Sequence, residues 1–279
     1  GFNSVIPGFD ISLIPSLPCT ITSVSSVVKT VRSDNDGPNG RESVQSAAVI
    51  TVLTEIPPKT GESLFRPPYV GKEKTNYSIG DLKTDVLPTL TPSDKAWSLA
   101  QVTENFKKLQ LDHKPGITGR AIHPLDNIPD YGADIARRNN DGALALMLDY
   151  TAEEKMSALI PYVQYGIDLY HMLKLGHTWP AGGGHRPGQK LPLSFAAVLL
   201  DNSDMKTAIK NHDFHEDRGV ELSKDGKTAL YGFKDYDDQK SDFDRDYWDF
   251  LVYHVVAGRG RGFKSYPDPY GFIDGGPEP

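Results

Sequence analysis

Helix-start signals, each followed by apolar residues at helical spacing, limit most strongly how this chain of 279 residues can fold. The first signal is Thr-Pro-Ser-Asp at residues 91–94, which combines N-capping side chains, a proline at the first helical position and an acid in the first turn. Apolar residues then recur every three or four positions, as one buried face of a helix requires: Leu99, Val102, Phe106 and Leu109. The pattern predicts a helix that begins in the early nineties.

Two further helices are predicted next, over about residues 130–148 and from Thr151 onward. Thr151-Ala-Glu-Glu is a capping box that opens the second of them, and Gly176 suits its C-terminal end. Pro161 is expected either to split this helix or to lie in its first turn. Because the connection between the two helices is short, they are expected to run antiparallel as a helical hairpin.

A second hairpin is predicted from residues 191–200 and 203–210, followed by a last helix over about 244–256. The glycine- and arginine-rich stretch at 258–262 is expected to end that helix, and the chain beyond it is expected to be irregular. Successive helical hairpins are typical of an α/α array or of part of an α/α toroid.

The N-terminal part has a different pattern, which predicts strands. Residues 25–31 and 43–53 are rich in Val, Ile, Ser and Thr, and the turn cluster at 34–40 separates them, so we expect a β-hairpin. Its acidic turn offers oxygen ligands for Ca²⁺, although the same residues suit a plain solvated turn; the candidate ligands are Asp34, Asp36 and Asn39.

These patterns together predict an α+β chain in three parts. Residues 1–60 form the β-rich segment, and residues 61–92, with prolines at 67, 68, 88 and 92, form an extended linker. Residues 93–279 form a mainly helical body of α/α hairpins, toroid-like in arrangement, with an irregular C-terminal tail.

Net charge argues against one class of partner, without excluding a local basic groove, and hydropathy excludes a membrane span. The net charge of −7 argues against nucleic acid, which favours a basic face, and no stretch approaches the roughly 20 apolar residues of a membrane span.

The single cysteine, Cys19, permits no intrachain disulfide. The chain begins Gly-Phe-Asn and ends in a loop-like stretch, so we expect the natural polypeptide to be longer.

Residues 177–188 carry the densest group of side chains suited to chemistry. Three consecutive glycines allow close approach of a ligand to the backbone. Trp179 offers a flat face for a sugar ring, Arg186 a fork for a carboxylate, and His177 and His185 act as acids or bases near neutral pH. The alternative is a flexible loop between helices whose polar residues happen to cluster.

A second group lies around residues 137–140, where Arg-Arg-Asn-Asn precedes an apolar run. Asn has a low propensity for helix interiors. Residues that disagree with local helix propensity in this way often belong to a functional site. Tyr131 and Arg138 fall on one helix face, Asn139 is adjacent, and His123 precedes them. An exposed, frayed helix flank explains the same residues equally well.

Two acidic or histidine-rich stretches are weaker candidates for metal binding. His212 and His215 lie near carboxylates, but in no established ligand spacing. The Asp-rich run at 235–246 imitates the start of an EF-hand but has Tyr247 where Gly is needed, so solvated helix capping explains it adequately. No metal ligand set and no cofactor is predicted, with Ca²⁺ the one ion kept open.

The helical body over about residues 93–257 resembles the α/α-toroid polysaccharide lyases of the alginate-lyase-like and heparinase-like kinds. The resemblance lies in helical hairpins with polar and aromatic residues on their connecting loops. It implies a secreted or extracellular carbohydrate-active protein that cleaves acidic polysaccharide by β-elimination. In those families Asn, Arg or His neutralises the uronate carboxylate, and Tyr or His removes the C5 proton.

The resemblance assigns roles to the residues singled out above. It implies catalytic parts for His185, Tyr131 and His123, and substrate binding for a second set: Arg138, Asn139, His177, Trp179 and Arg186. Three alternatives stay open at this point. One is a glycoside hydrolase using two carboxylates on the same scaffold, for which four acids are available: Asp130, Asp134, Asp168 and Glu216. Another is a metal-dependent hydrolase using His212 and His215, and the third is a structural or adhesive protein that self-assembles.

Overall fold

The computed structural model describes residues 12, 14–21, 24–32, 44–111, 132–179, 187–217, 220–222, 229–231, 233–234 and 272–273. The chain divides into two compact units, residues 1–213 and 214–279. The first contains the five helices found in the described part of the chain and one antiparallel strand pair. The fold is therefore α+β and mainly helical, as the sequence predicts.

The predicted N-terminal hairpin is confirmed. Strands β1 (Ser25–Arg32) and β2 (Val44–Val52) pair antiparallel from Ser25 opposite Val52 to Arg32 opposite Val44. The register shifts between Val31 and Arg32, next to the connection. That connection, with the Ca²⁺ candidates Asp34, Asp36 and Asn39, lies outside the described residues.

The proline-rich segment after the hairpin contains three short 3₁₀ turns, at Pro58–Gly61, Ile79–Asp81 and Thr84–Val86. Its aromatic residues Phe65, Tyr69 and Tyr77 are buried in the core. The Phe65 N–H donates to the Tyr77 carbonyl at 2.8 Å, so the segment folds back on itself. These contacts fix residues 64–66 against the helices.

Helix α1 (Leu99–Phe106) begins later than the sequence predicts. Ser98 caps it, its hydroxyl accepting from the Gln101 N–H while the Gln101 side chain accepts from the Ser98 N–H at 2.8 Å. The prediction of a start at residues 91–94 is wrong because Leu90 is held extended, its N–H donating to the Met147 carbonyl and its carbonyl accepting from the Asp149 N–H, both at 2.9 Å.

The remaining helices agree with the predicted hairpins. They are α2 (Gly132–Leu146), α3 (Ala152–Lys174), α4 (Lys190–Leu199) and α5 (Ser203–Asn211). The Thr151–Glu154 capping box opens α3, and Gly176, at φ +86°, ends it through a Schellman motif in which the His177 N–H reaches the Met172 carbonyl at 3.1 Å.

Helix α3 runs through the core of the first unit and packs against α1, α2, α4 and α5. Pro161 lies well inside it, so the helix is not split there and Pro161 is not in the first turn; both expectations are wrong. Proline has no N–H for the Ser157 carbonyl, and Ser157 lies on the exposed side of the helix, where water can replace that donor. Burial of the opposite face outweighs the lost hydrogen bond.

The second unit contains strands that the sequence analysis did not predict. After a 3₁₀ turn at His215–Asp217, β3 (Val220–Leu222) pairs with β4 (Ala229–Tyr231), and β5 (Phe233–Lys234) pairs with β6 (Phe272–Ile273). Each strand has only two or three residues, too few to show a period of two in the sequence. The predicted helix over 244–256 lies outside the described residues.

In the described part of the chain, no helix is long and apolar enough to cross a membrane.

Candidate functional site

An open cavity of about 510 Å³ lies in the first unit, bounded by four parts of the chain. Residues 64–66 form one side, the end of α1 with the stretch up to Gln110 forms another, and one face of α3 forms the inner wall. Strand β2 contributes Ala47 and Val49. The volume is within the range of pockets that hold small ligands.

The inner wall follows from helical periodicity. The α3 residues that line the cavity recur at intervals of three and four, which places them on one face: Ser157, Ile160, Pro161, Gln164, Tyr165 and Asp168. The polar members of this stripe lie among apolar ones, so the wall presents a few polar groups on a mainly apolar surface.

Asp168 is the most unusual residue of the wall, since a carboxylate is rarely buried without a partner. Its side chain is 1% exposed and forms an ion pair with Arg66, whose own side chain is 29% exposed. Burial raises the pKa of Asp168, while the Arg66 guanidinium and the Tyr69 N–H favour its ionised form. The Arg66 guanidinium also donates to the Pro67 carbonyl at 2.8 Å, which fixes its direction.

Two polar atoms of this wall, Oδ1 of Asp168 and Nε2 of Gln164, are sealed from solvent. A hydrogen bond from the Gln164 side chain favours the ionised form of Asp168. The Gln164 amide therefore supports the Asp168 carboxylate from the next turn of α3.

Three cations, Arg66, Lys107 and Lys108, line the cavity, and Asp168 is the one acid among its described lining residues. Arg66 is paired with Asp168, and Lys107 is paired with Glu104 at 2.5 Å. The whole chain carries a net charge of −7. The excess of positive charge at the cavity is therefore small, but its sign is opposite to that of the chain and favours an anionic ligand.

Arg138, predicted from the sequence to bind substrate, lies behind the cavity wall. Its guanidinium donates to Gln110 Oε1 at 2.7 Å and to the Asn105 carbonyl, and it stacks on the Phe106 ring at 4.5 Å. Burial lowers the pKa of Arg138 to about 10, so it stays charged at neutral pH. These contacts hold the stretch that carries Lys107 and Lys108, and the role in substrate binding stays a prediction.

Asn139 is fully buried next to Arg138. Its Nδ2 donates to the Gly188 carbonyl at 2.7 Å, and its backbone carbonyl accepts from the Tyr162 hydroxyl at 2.8 Å. Gly188 has φ +117°, and a Cβ there would lie 2.7 Å from the Ala136 nitrogen, so a glycine is required at that contact. Asn139 thus joins α2 to the chain just before α4, and its predicted role in substrate binding stays a prediction.

The glycine-rich loop is described only at its two ends. Trp179 is 1% exposed, and its ring meets that of His177 edge to face at 4.9 Å. In this conformation the Trp179 ring is covered by the protein and presents no free face to a sugar. His185 and Arg186 lie outside the described residues, as do His123 and Tyr131.

A buried tyrosine–histidine pair escaped the sequence analysis. The Tyr77 hydroxyl lies 3.0 Å from Nε2 of His171, one helical turn beyond Asp168 on α3. Burial lowers the pKa of His171 to about 4 and raises that of Tyr77. A lone histidine in an apolar run was the available signal, but only the fold shows its partner.

Arg66 and the place of Asp168 in the cavity were also missed. Asp168 was considered only as one of several acids available to a hydrolase, although an acid in the middle of the apolar stretch of α3 indicates a buried pair. Arg66 lies between Phe65 and Pro67 and carries no comparable signal. The two are 102 positions apart in the chain.

Metal binding finds no support in the described ranges, where no group of three or more His, Cys, Asp and Glu side chains converges. His212 uses Nδ1 to donate to the Ala208 carbonyl at 2.7 Å. His215 is buried in the second unit. The Asp-rich run at 235–246 lies outside the described residues.

Compared with protein-family models, curated proteins and solved structures, the chain matches none.

Proposed function

We propose that this is an extracellular carbohydrate-active protein that binds acidic polysaccharide in the cavity and cleaves it by β-elimination, on a scaffold of the α/α-toroid kind. The observation that carries the proposal is that three cations, Arg66, Lys107 and Lys108, line one cavity of a chain with net charge −7, although Asp168 and Glu104 pair with the first two. A uronate polymer is an anion along its whole length, so such a cavity attracts it.

The chemistry explains why cations are needed there. The proton at C5 of a uronate is acidic only when the neighbouring carboxylate is neutralised, which a guanidinium or ammonium achieves. A base then removes that proton, the C4–C5 double bond forms, and the C4–O bond breaks with its electron pair passing to the leaving oxygen, which takes up a proton. His185, Tyr131 and His123 remain the proposed bases.

Hydrolysis by a pair of carboxylates is less well supported. That mechanism needs two acids about 5 to 10 Å apart across the bond. Among the described lining residues Asp168 is the one acid, and Arg66 is already paired with it. The cavity therefore fits anion binding better than two-carboxylate catalysis.

The test is an absorbance assay for the unsaturated product, run on a panel of uronate polysaccharides with and without Ca²⁺. We expect a rising ultraviolet signal on at least one polymer. A flat trace on all of them rejects the lyase proposal, and concentration-dependent assembly of the same sample then favours the structural, self-associating alternative.

The proposed bases are tested on the substrate that responds. Tyr131→Phe and His185→Ala are expected to lower turnover by at least a hundredfold, the usual contribution of a general base. Tyr150→Phe is the matched control, because Tyr150 is half-buried and does not line the cavity. Unchanged turnover in a variant removes that residue from the mechanism.

A further inference from the structure

The walls of the cavity carry apolar side chains that the protein covers only in part. These half-buried residues come from strand β2, the proline-rich segment, the stretch after α1 and helix α3: Val49, Leu64, Leu109, Ile160 and Pro161. Because they come from four parts of the chain and meet at one cavity of about 510 Å³, they offer a ligand apolar surface on several sides.

The buried polar groups of the inner wall are directed at one another. Asp168 is ion-paired with Arg66, and the Gln164 side chain supports the same carboxylate. A ligand in the cavity therefore gains free energy at this wall mainly by removing apolar surface from water. A uronate ring, with hydroxyl groups around its edge, leaves much of that surface uncovered.

The charge at the rim determines the other end of the ligand. Lys107 and Lys108 are exposed there, and Glu104 pairs with the first of them, so the rim keeps a small excess of positive charge. An anionic head group beside these lysines stays in contact with water while an apolar body reaches the walls. A cationic head group is repelled at the same place.

We propose that the cavity binds a small amphipathic anion, a carboxylate on an aliphatic chain, with the carboxylate at the two lysines and the chain against the apolar walls. The volume suits one small molecule. This inference goes beyond the proposed function and does not rest on it, since it concerns a second kind of ligand for the same cavity.

The experiment is calorimetric titration of the full chain with straight-chain carboxylates from hexanoate to dodecanoate, below their micelle-forming concentrations, and with the primary alcohols of the same lengths. We expect one molecule bound per chain, with an affinity that rises up to about fourfold for each added methylene, the effect of burying one CH₂ group. At low salt each acid is expected to bind about fivefold more tightly than its alcohol, and salt should reduce that advantage.

Two matched pairs of variants locate the chain and the head group. Ile160→Thr keeps the branched side chain but puts a hydroxyl on the wall, and is expected to weaken dodecanoate binding about fivefold. Val198→Thr makes a similar change at an exposed apolar residue off the cavity and should have no effect. Lys108→Gln is expected to bring the acids towards the affinity of the alcohols, whereas Lys95→Gln, exposed and off the cavity, should not.

The proposal is overturned if no acid saturates, if several molecules of acid bind per chain, or if acids and alcohols bind equally. It is also overturned if Ile160→Thr and Val198→Thr weaken binding to the same extent, because the chain then does not lie against the cavity wall. The comparison of acids with alcohols is made on the unaltered protein, so it does not depend on folding of a variant.

The outcome is separable from that of the lyase assay. Acid binding that responds to Ile160, with no cleavage of any uronate polymer, rejects the proposed function and keeps this site. Cleavage of a uronate polymer without acid binding rejects this site and keeps the function.

Discussion

The Tyr77–His171 pair is one of the buried contacts that join the segment after the hairpin to α3. Tyr77 belongs to the proline-rich segment, and His171 is 3% exposed in the body of the helix. Burial lowers the pKa of His171 to about 4; Glu73 acts in the opposite direction, and Lys174 and Lys74 in the same one. The imidazole is therefore neutral in the folded protein at all pH values near neutrality.

This pair predicts a loss of stability in mild acid. The pKa of His171 is about 6.5 unfolded and about 4 folded, so between these values the unfolded chain binds more protons and the folded state loses stability as pH falls. We expect His171→Gln, which keeps a polar partner for Tyr77 but does not titrate, to remove a pH-dependent loss on the order of 3 kcal/mol.

Urea unfolding at a series of pH values from 7 to 4 measures the effect. The variant is compared with wild type at each pH, so that the other acids of the chain cancel. Parallel profiles for the two proteins over this range would show that His171 does not change protonation on unfolding.

Helix propensity and hydrophobic periodicity identified unusual residues in the sequence, but not the residues that they contact in the fold. Arg138 and Asn139 stood out because polar residues interrupt a helical pattern, and both are buried in contacts between separate segments. The sequence shows that such residues need partners, because burial without them is unfavourable. It does not show that the partners are Gln110 and Gly188, since these lie 28 and 49 positions away.

At the scale of elements, the crossing of α3 and α4 depends on the absence of one side chain. A Cβ on Gly166 would lie 2.2 Å from the Pro192 carbonyl oxygen and 2.6 Å from the Ala196 Cβ. The first contact is with backbone, which cannot rotate away. The two helices approach this closely because position 166 is glycine.

Gly166→Ala is therefore expected to destabilise the protein by about 3 kcal/mol or more, as overpacking against a rigid neighbour does. Gly176→Ala is the comparison, since nothing lies within 4 Å of its Cβ and only its φ of +86° is unfavourable. That change is expected to cost 1–2 kcal/mol, about the penalty of a left-handed residue. Urea midpoints measure both, and equal small losses would mean that the helices separate easily.

Helix signals were reliable where a cap and a periodic stripe agreed. The Thr151 box and Gly176 gave both ends of α3, and the second hairpin lies within one residue of its expected bounds at each end. The start of α1 was missed because a plausible cap at 91–94 competes with a backbone pairing between Leu90 and Leu148. A bridge between residues so far apart in the chain has no signature in the sequence around either of them.

For the whole molecule, the cavity could not be predicted because it is assembled from segments far apart in the chain. Arg66, Lys107 and Asp168 come from the proline-rich segment, the end of α1 and the middle of α3, and nothing in the sequence shows that they meet. The net charge of −7 by itself argues against a polyanion as partner. Only the distribution of charge over the surface reverses that expectation.

This distribution leads to a prediction for the whole protein, that its affinity for acidic polysaccharide falls with salt. Lys108 and Lys107, the latter paired with Glu104, are exposed on the cavity rim, and attraction of a polyanion to them through water is screened within about 8 Å at physiological ionic strength. Lys107→Gln with Lys108→Gln is expected to weaken binding about tenfold at low salt and to flatten its dependence on salt.

Lys95→Gln with Lys210→Gln removes the same charge from two exposed positions off the cavity, so it changes the net charge equally. Titration of the polymer at several salt concentrations compares the two double variants. If they weaken binding to the same extent, the overall charge governs binding and the cavity is not the polysaccharide site. A loss confined to the Lys107 and Lys108 variant places the polymer on the cavity rim, because local charge then outweighs the repulsion from the rest of an acidic chain.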